Sequence, residues 1–567
     1  MSHCETTHSE RSKHPPNEWP LRADLASIWN SRSYCYLLIF CLATSAVPPA
    51  ASQWKPNGIP VCDTTINLGF SLLPKVAEDG HGGAFVCWHD YRNADIFIQH
   101  VGHDGRMLWQ KNGVPLIDDS SFQQYPRIVA DGEGGAFIAW EDGRGDNLYP
   151  YAQHIDSSGL SLWPPGGIKV SDRSGLFISI RPSEGGSLLV AWNGGGGPDV
   201  LVQKLDGSGV RCWGDSGVFL SRGQGDVAAN DVLVETDMSG GAIVVWSKDG
   251  IIRCQRVDDL GNVRWGETGI RLSDSTRNVS VGISSDGSGG ALFSWGDLVR
   301  NEMVAQRVRA SGDIAWNSGG VLLGGIAMGG ARRHSPDGHG GAFVGHGRWI
   351  QHLDTMGALL WPAPGVAFTQ APNNFVNSSQ VVNGFDGIWN FFGQVVELEN
   401  ATDIYAQYIG VNGSVRWGPI GLSVCKHVRT QDWPQGVHAG NGRAIVVWDD
   451  FRDMHSNVYA ALVDTLGIVT SAVSGDETPV GTFLLYQNFP NPFNPTTTVT
   501  YVLPQSGKVT VEVIDLLGRR TATLVNAFQD SGIHNVTLDG SRLSAGVYFC
   551  RIHLGNLTRT ARMILLR

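Results

Sequence analysis

Three short stretches set a carboxylate two residues after a tryptophan and a guanidinium two residues further on: Trp88-Asp90-Arg92, Trp140-Asp142-Arg144 and Trp448-Asp450-Arg452. Further acids follow at Asp95, Asp146 and Asp453. Carboxylates gathered on loops can bind calcium, accept hydroxyl protons from a sugar or meet a basic partner, and a facing pair could hydrolyse a glycoside by acid and base chemistry. The same residues have an architectural use, because an Asp in a turn accepts loop N–H groups and pairs with a nearby Arg. Recurrence in several copies is what a folding element shows, so the architectural reading leads, with these Trp, Asp and Arg residues kept as ligand-binding candidates. No catalytic, cofactor-binding or metal-ligating residue is singled out, and the only ion the acids suggest is a structural calcium. The chain has no Gly-x-Ser-x-Gly elbow, His-Glu-x-x-His or phosphate-binding loop. His81, His89, His100 and His103 lie near one another in sequence but lack metal-ligand spacing.

Such loops need a scaffold, and the chain repeats itself to supply one. A Gln is followed ten residues later by a Trp at Gln99/Trp109, Gln153/Trp163, Gln203/Trp213, Gln255/Trp265, Gln306/Trp316, Gln351/Trp361 and Gln407/Trp417. An eighth copy has Ala461 and Ser471 in those slots. In register with them, a Gly-Gly-Ala turn runs to an aromatic at 82–88, 134–140, 240–246 and 289–295, with variants at 185–192, 340–346, 386–392 and 442–448. Apolar residues alternate between these turns, so each copy reads as four short strands. Four strands in roughly fifty residues is the pattern of a β-propeller, whose blades need neighbours to bury their faces.

An all-β fold follows: an eight-bladed β-propeller over residues 53–470, with seven blades as the alternative because the repeat at 372–417 is eroded. Independent sandwich modules fit less well, since each would need about 100 residues. The segment 53–61 resembles the end of a repeat, led by Trp54, but has no hairpin before it, while the last copy lacks that Trp. The N-terminal segment is therefore expected to complete the last blade. The repeated turn residues Asp79, Asp131, Asp286 and Asp337 are expected to shape hairpins, and the Gln to bond backbone or a neighbouring blade. Connections from the second strand to the Gln, and from the fourth strand to the next first strand, vary in length. They belong on one rim, and binding is expected there.

Gly at 73 residues and Trp at 19, with only 17% charged residues, suit a turn-rich β protein and argue against disorder. A net charge of −11 without a Lys/Arg cluster argues against nucleic acid. Residues 1–52 read as an N-terminal extension and signal peptide: the apolar run 35–47 precedes small residues suited to cleavage and is too short to span a membrane comfortably. Cys4, Cys35 and Cys41 would leave with it. Of the remaining six, Cys62 and Cys425 each lie eight residues after a Trp, at equivalent places in the first and last repeats. Two buried thiols are the expected reading; a disulfide across a closed ring is the alternative.

A polar linker at 471–482 leads to a region of different character, residues 483–567, with the rhythm of a small β-sandwich. QNFPNPFNPTT (487–497), the strand at 509–515 followed by GRR (518–520), AGVYF (545–549) and a final strand ending MILLR closely resemble the C-terminal sorting domain of the type IX secretion system, related to flagellar-hook-cap-type Ig-like domains. Cys550 and a terminus with few lysines depart from that pattern. The resemblance implies an Ig-like fold, recognition by the secretion machinery and delivery to the surface or exterior of a Gram-negative cell. The repeat region resembles uncharacterised secreted propeller repeats. The expectation is an exported, cell-surface or secreted binding scaffold for a glycan or protein, without a membrane span after signal removal. The alternative is a secreted polysaccharide hydrolase using carboxylates on the propeller rim.

Overall fold

The computed structural model describes residues 52–64, 71–91, 95–117, 119, 121–195, 199–222, 232–325, 333–370, 375–382, 387–396, 401–469, 483–485, 488, 493–503, 505–530, 532–555 and 557–566. Among them regular structure is β-strand throughout, apart from one 3-10 turn at Glu184–Gly186. The leader and the linker expected at 1–52 and 471–482 lie almost wholly outside the described residues.

Eight antiparallel sheets occupy the repeat region, and seven of them take four strands in chain order. The first sheet is Lys75–Glu78, Ala84–Asp90, Asp95–Val101 and Val114–Pro115; the second is Gln123–Ala130, Ala136–Asp142, Tyr149–Ile155 and Ile168–Lys169. The eroded repeat is a complete sheet of Phe375–Val382, Gly387–Val396, Ala401–Gly410 and Leu422–Cys425. The eighth sheet differs. Gln431–His438, Ala444–Asp450 and Asn457–Asp464 come from the end of the region, and Ile59–Cys62 from its beginning pairs with Asn457–Asp464, Ile59 opposite Ala460. The short strand Gly467–Val469 also pairs with Asn457–Asp464. The first strand of each sheet lies against the first strand of the next, and Gln431–His438 returns to Lys75–Glu78. The arrangement is propeller-like.

Burial explains the spacing of the repeats. Trp88, Trp140, Trp192, Trp246, Trp295, Trp389 and Trp448, each on a second strand, are all fully buried. The apolar clusters lie between adjacent sheets; one joins Ile243, Val245 and Ile252 of the fourth sheet to Val281, Phe293 and Trp295 of the fifth. A buried indole contributes on the order of 5 kcal/mol of transfer free energy before chain entropy is set against it.

The Gln/Trp signature is a backbone clamp. Gln153 Nε2 donates to the Pro164 carbonyl (3.0 Å), while its Oε1 accepts the His154 and Trp163 N–H groups (2.9 and 3.2 Å). Gln99, Gln203, Gln255 and Gln306 repeat all three bonds. The amide thus supplies the pairing the chain lacks where it turns from third to fourth strand. The Trp reaches onward: Trp163 Nε1 donates to the Gly207 carbonyl of the next repeat at 3.0 Å, and Trp213, Trp265, Trp316 and Trp361 do likewise. Across the seam Trp54 Nε1 donates to the His103 carbonyl (3.0 Å).

The C-terminal region forms two sheets, Leu484–Leu485 with Thr496–Leu503 and Gly532–Asp539, and Arg520–Gln529 with Gly507–Asp515, Gly546–Leu554 and Leu557–Leu565. Val499, Tyr501, Val511, Val513, Cys550, Ile552 and Met563 share one core.

Candidate functional site

The Trp-x-Asp-x-Arg stretches sit where the second strand leaves its sheet. Asp90, Asp142 and Asp450 are each fully buried. One carboxylate oxygen accepts the indole N–H of its own Trp: Trp88 to Asp90 at 2.9 Å, Trp140 to Asp142 at 2.7 Å, Trp448 to Asp450 at 2.8 Å. Arg144 Nε and backbone N both donate to the other Asp142 oxygen at 2.9 Å, and its guanidinium continues to the Gly166 carbonyl (2.7 Å) above the Tyr151 ring. Arg452 repeats this on Asp450 and crosses the seam to the Asn57 carbonyl at 2.9 Å. Arg92 lies outside the described residues. These carboxylates are consumed in holding loops. Of the neighbouring acids, Asp95 is buried, Asp453 is exposed, and exposed Asp146 accepts the Tyr149 hydroxyl at 2.8 Å.

One residue after each Trp, a second polar position faces the next sheet. Asp449 accepts the Leu72 and Leu73 N–H groups (both 3.2 Å) and the hydroxyls of Ser456 (2.8 Å) and Ser71. Burial pushes its carboxyl up to about 6. Glu141 accepts the Phe177 N–H (2.7 Å) and Gln124 Nε2 (3.0 Å), and burial raises its pKa too. His89 lies between the rings of Tyr91 (4.4 Å) and Phe122 (5.3 Å), and burial lowers it to about 4, so it is neutral. Its Nε2 has no hydrogen-bond partner among the described residues.

The aromatic side chains around these groups escape the sequence reading. Five first strands, or the residues leading into them, hold a non-glycine residue at positive φ: Leu73 (48°), Tyr125 (50°), Phe177 (57°), Ser280 (58°) and Trp433 (54°). Register breaks between Gln124 and Arg127, Leu176 and Ser179, Val279 and Gly282, and Asp432 and Gln435 show that four of them occupy β-bulges. A bulge re-aims its side chain, and left-handed backbone at such residues costs on the order of 1–2 kcal/mol each. The signal in the chain is a large residue before proline, six positions ahead of the hairpin turn: Leu73-Pro74, Tyr125-Pro126 and Trp433-Pro434. Tyr91, Phe122, Tyr125 and Trp433 are all exposed. Burial, and after it the closeness of Tyr125 and Asp449, raise the Tyr91 hydroxyl. Between the loops of the second and third sheets a groove of about 460 Å³ is lined by Gly143, Asp146, Asn147, Ser174 and Gly195.

The other polar repeats are structural. Asp131 Oδ1 accepts the Glu133 and Gly135 N–H groups (2.7 and 2.9 Å), and Oδ2 meets His154 Nε2 at 2.9 Å. Asp79 with His100 and Asp337 with His352 make the same pair, and Arg256 and Arg307 take the histidine's place on Asp237 and Asp286. Gly135 has no freedom to change, because a Cβ there would strike the Ile155 carbonyl and the Asp131 carboxylate. Cys62, Cys87, Cys254, Cys425 and Cys550 are buried, and Cys212 is exposed. No helix among the described residues is long and apolar enough to cross a membrane.

Residues 487–566 match the family of secretion system C-terminal sorting domains, which indicates export to the cell surface or the extracellular space. The resemblance read from the C-terminal motifs therefore holds. No curated protein matches the chain. Among solved structures, a fungal alcohol oxidase of the AA5 family in complex with copper is 11% identical, with 90% of this chain and 100% of that one covered and a TM-score of 0.39. PorZ, a surface component of the type-IX secretion system of Porphyromonas gingivalis, is 11% identical over 87% of this chain and 81% of its own, with a TM-score of 0.25. The NanB sialidase of Streptococcus pneumoniae is 11% identical over 75% and 72%, with a TM-score of 0.32. Likenesses at these scores bring no activity to this chain.

Proposed function

We propose that this protein is an exported binding scaffold: an eight-bladed β-propeller, delivered by a signal peptide and a type IX sorting module with an Ig-like sandwich fold to the outer surface of a Gram-negative cell. The rim of variable loops engages a glycan or protein ligand. The observation that carries this reading is the state of the recurring aspartates. Asp142 and Asp450 spend their oxygens on an indole, a backbone N–H and a guanidinium of their own loops, which leaves neither of them free to protonate a leaving group or activate water. The Asp90, Asp142 and Asp450 triads then brace the rim, and ligand contacts come from the side chains the braced loops present.

The test sets glycan-array binding beside polysaccharide hydrolysis for the wild-type protein and its Asp90→Asn, Asp142→Asn and Asp450→Asn variants. Binding without turnover in any form is expected. A hydrolytic activity that one substitution abolishes, while circular dichroism stays unchanged, would replace this reading with that of a hydrolase.

A further inference from the structure

The groove of about 460 Å³ between the second and third sheets has two unlike banks. One is the loop that joins Ala136–Asp142 to Tyr149–Ile155 in the second sheet, and it brings Asp146, Asn147 and Leu148. The other belongs to the third sheet: Ser174 and Leu176 at the head of Leu176–Ser183, and Gly195 after Ser187–Asn193. The loops are built differently. Asp142 and Arg144 fill the first from within, bonding the Trp140 indole, each other and the Gly166 carbonyl. The third sheet has Gly194 and Gly196 at the corresponding distances from Trp192, within a run of four glycines. A loop without side chains leaves open the space beside its braced neighbour and lets a ligand approach the backbone closely. A side chain at Gly195 would close that space, since a Cβ there meets Ser174 Oγ at 2.5 Å. The Gly175 N–H donates to the Leu148 carbonyl (2.9 Å) and ties the two banks together.

The walls narrow the ligand. Leu148 and Leu176 are apolar and half-buried, whereas Asp146 and Asn147 are exposed. Among the described residues of the wall, Asp146 carries the only charged side chain. Its Oδ1 accepts the Tyr149 hydroxyl at 2.8 Å, and that bond holds its carboxyl below the usual range, so it is ionised at neutral pH. A carboxylate has about four acceptor sites, so hydroxyls of a ligand fit beside that of Tyr149. The Asn147 amide and the Ser174 hydroxyl both donate and accept. Charges around the groove come in opposite-sign neighbours. Lys169 lies 3.4 Å from the Tyr149 ring centroid, within the field of Asp146, while Arg144 pairs with Asp142 and Arg211 with Asp172. The third sheet's loops add one of each sign, Arg173 and Asp199, and Glu141 is buried on the Phe177 N–H and Gln124. Neither an anion nor a cation gains an advantage from such a field. Carboxylate, amide and hydroxyl beside apolar walls instead match the adjacent hydroxyls and the C–H face of a sugar ring, and the volume lies within the roughly 300–1,000 Å³ of small-ligand sites.

Resting on the scaffold reading above, we infer that the groove between the second and third sheets binds uncharged sugars. Asp146 and Asn147 take adjacent ring hydroxyls, Ser174 takes another from the opposite bank, and Leu148 and Leu176 meet the C–H face. The experiment applies the full chain to an array of glucan, galactan and mannan oligosaccharides printed beside alginate and chitosan oligomers. At least one uncharged series is bound tenfold or more tightly than either charged one, with the same affinity at low and at physiological salt. Asp146→Ala and Asn147→Ala, both at exposed positions, each weaken that binding about tenfold at an unchanged melting temperature. Asp453→Ala, at an exposed acid in the eighth sheet's loop, leaves it as in the wild type. A preference for alginate or chitosan, or no binding to any uncharged series, would overturn the inference. Binding that both groove variants retain would also overturn it and leave the scaffold reading standing, with its ligand elsewhere on the molecule. Release of shorter sugars from any of these oligomers would overturn both.

Discussion

A tryptophan with an acid two residues on, and the same tryptophan without it, form an internal comparison. Trp140 has its N–H on Asp142, whereas Trp192 and Trp246, followed by Gly194 and Lys248, hold buried indole N–H groups without a partner among the described residues. A buried donor without a partner costs roughly 1–3 kcal/mol, so removing it is cheap, but removing a donor from a buried carboxylate is not. Trp140→Phe should therefore lower the urea midpoint markedly more than Trp192→Phe. Equal losses would mean that the indole bond to Asp142 contributes nothing. The triads themselves were visible in the chain because Trp, Asp and Arg are neighbours two residues apart. Their burial was not, because it depends on the adjoining sheet. The bulge aromatics escaped for a related reason: Tyr125 and Trp433 look like ordinary strand residues until the partner strand shows a register break.

At the scale of the sheet, the contact between the eighth and first sheets contains a strongly perturbed carboxylate. Asp449 takes four hydrogen bonds across and within this boundary, yet burial still lifts it from 3.8 to about 6. A carboxyl raised on folding binds its proton more tightly in the native state. Its effect is absent below the unfolded pKa and becomes an increasing penalty as pH rises through the folded one. Between pH 4 and pH 6 the contribution of Asp449 should fall by on the order of 2–3 kcal/mol. Asp449→Asn should remove that slope. The measurement is the difference in urea midpoint between variant and wild type at pH 4.5 and pH 7, and a difference that does not change with pH would refute the assignment. The sheets themselves were the most legible layer. Gln–Trp spacing and Gly-Gly turns are local and survive repetition, and even the eroded repeat at 372–417 kept enough of them to be placed. That the Gln bonds backbone was expected as well; what remained hidden was which groups it joins, since its three bonds link segments whose meeting depends on the finished hairpin.

For the molecule as a whole, one sheet drawn from both ends of the repeat region should govern cooperativity. Deleting residues 53–62 removes Ile59–Cys62 from the eighth sheet, together with the Trp54 bond to the His103 carbonyl and the apolar contacts of Trp54, Val61 and Cys62. Repeats that touch only their neighbours unravel from a free end, and the ring exists to abolish such ends. The truncated protein should melt at least several degrees lower and over a broader range, with hydrogen exchange fastest in the eighth and first sheets. A sharp transition at the wild-type temperature would show that closure adds no stability. This pairing was foreshadowed by an orphan Trp54 at one end and a missing Trp at the other. The sorting module was legible for a different reason, because its turn and proline motifs are specific over most of its length.

The latch formed by Ile59–Cys62 also imposes an order in time. Its partner, Asn457–Asp464, is made some four hundred residues later. A chain that emerges N-terminus first cannot snap shut on its way out of the ribosome. Completion of the eighth sheet, and with it the continuous circuit of first strands, is deferred until the last repeat has followed.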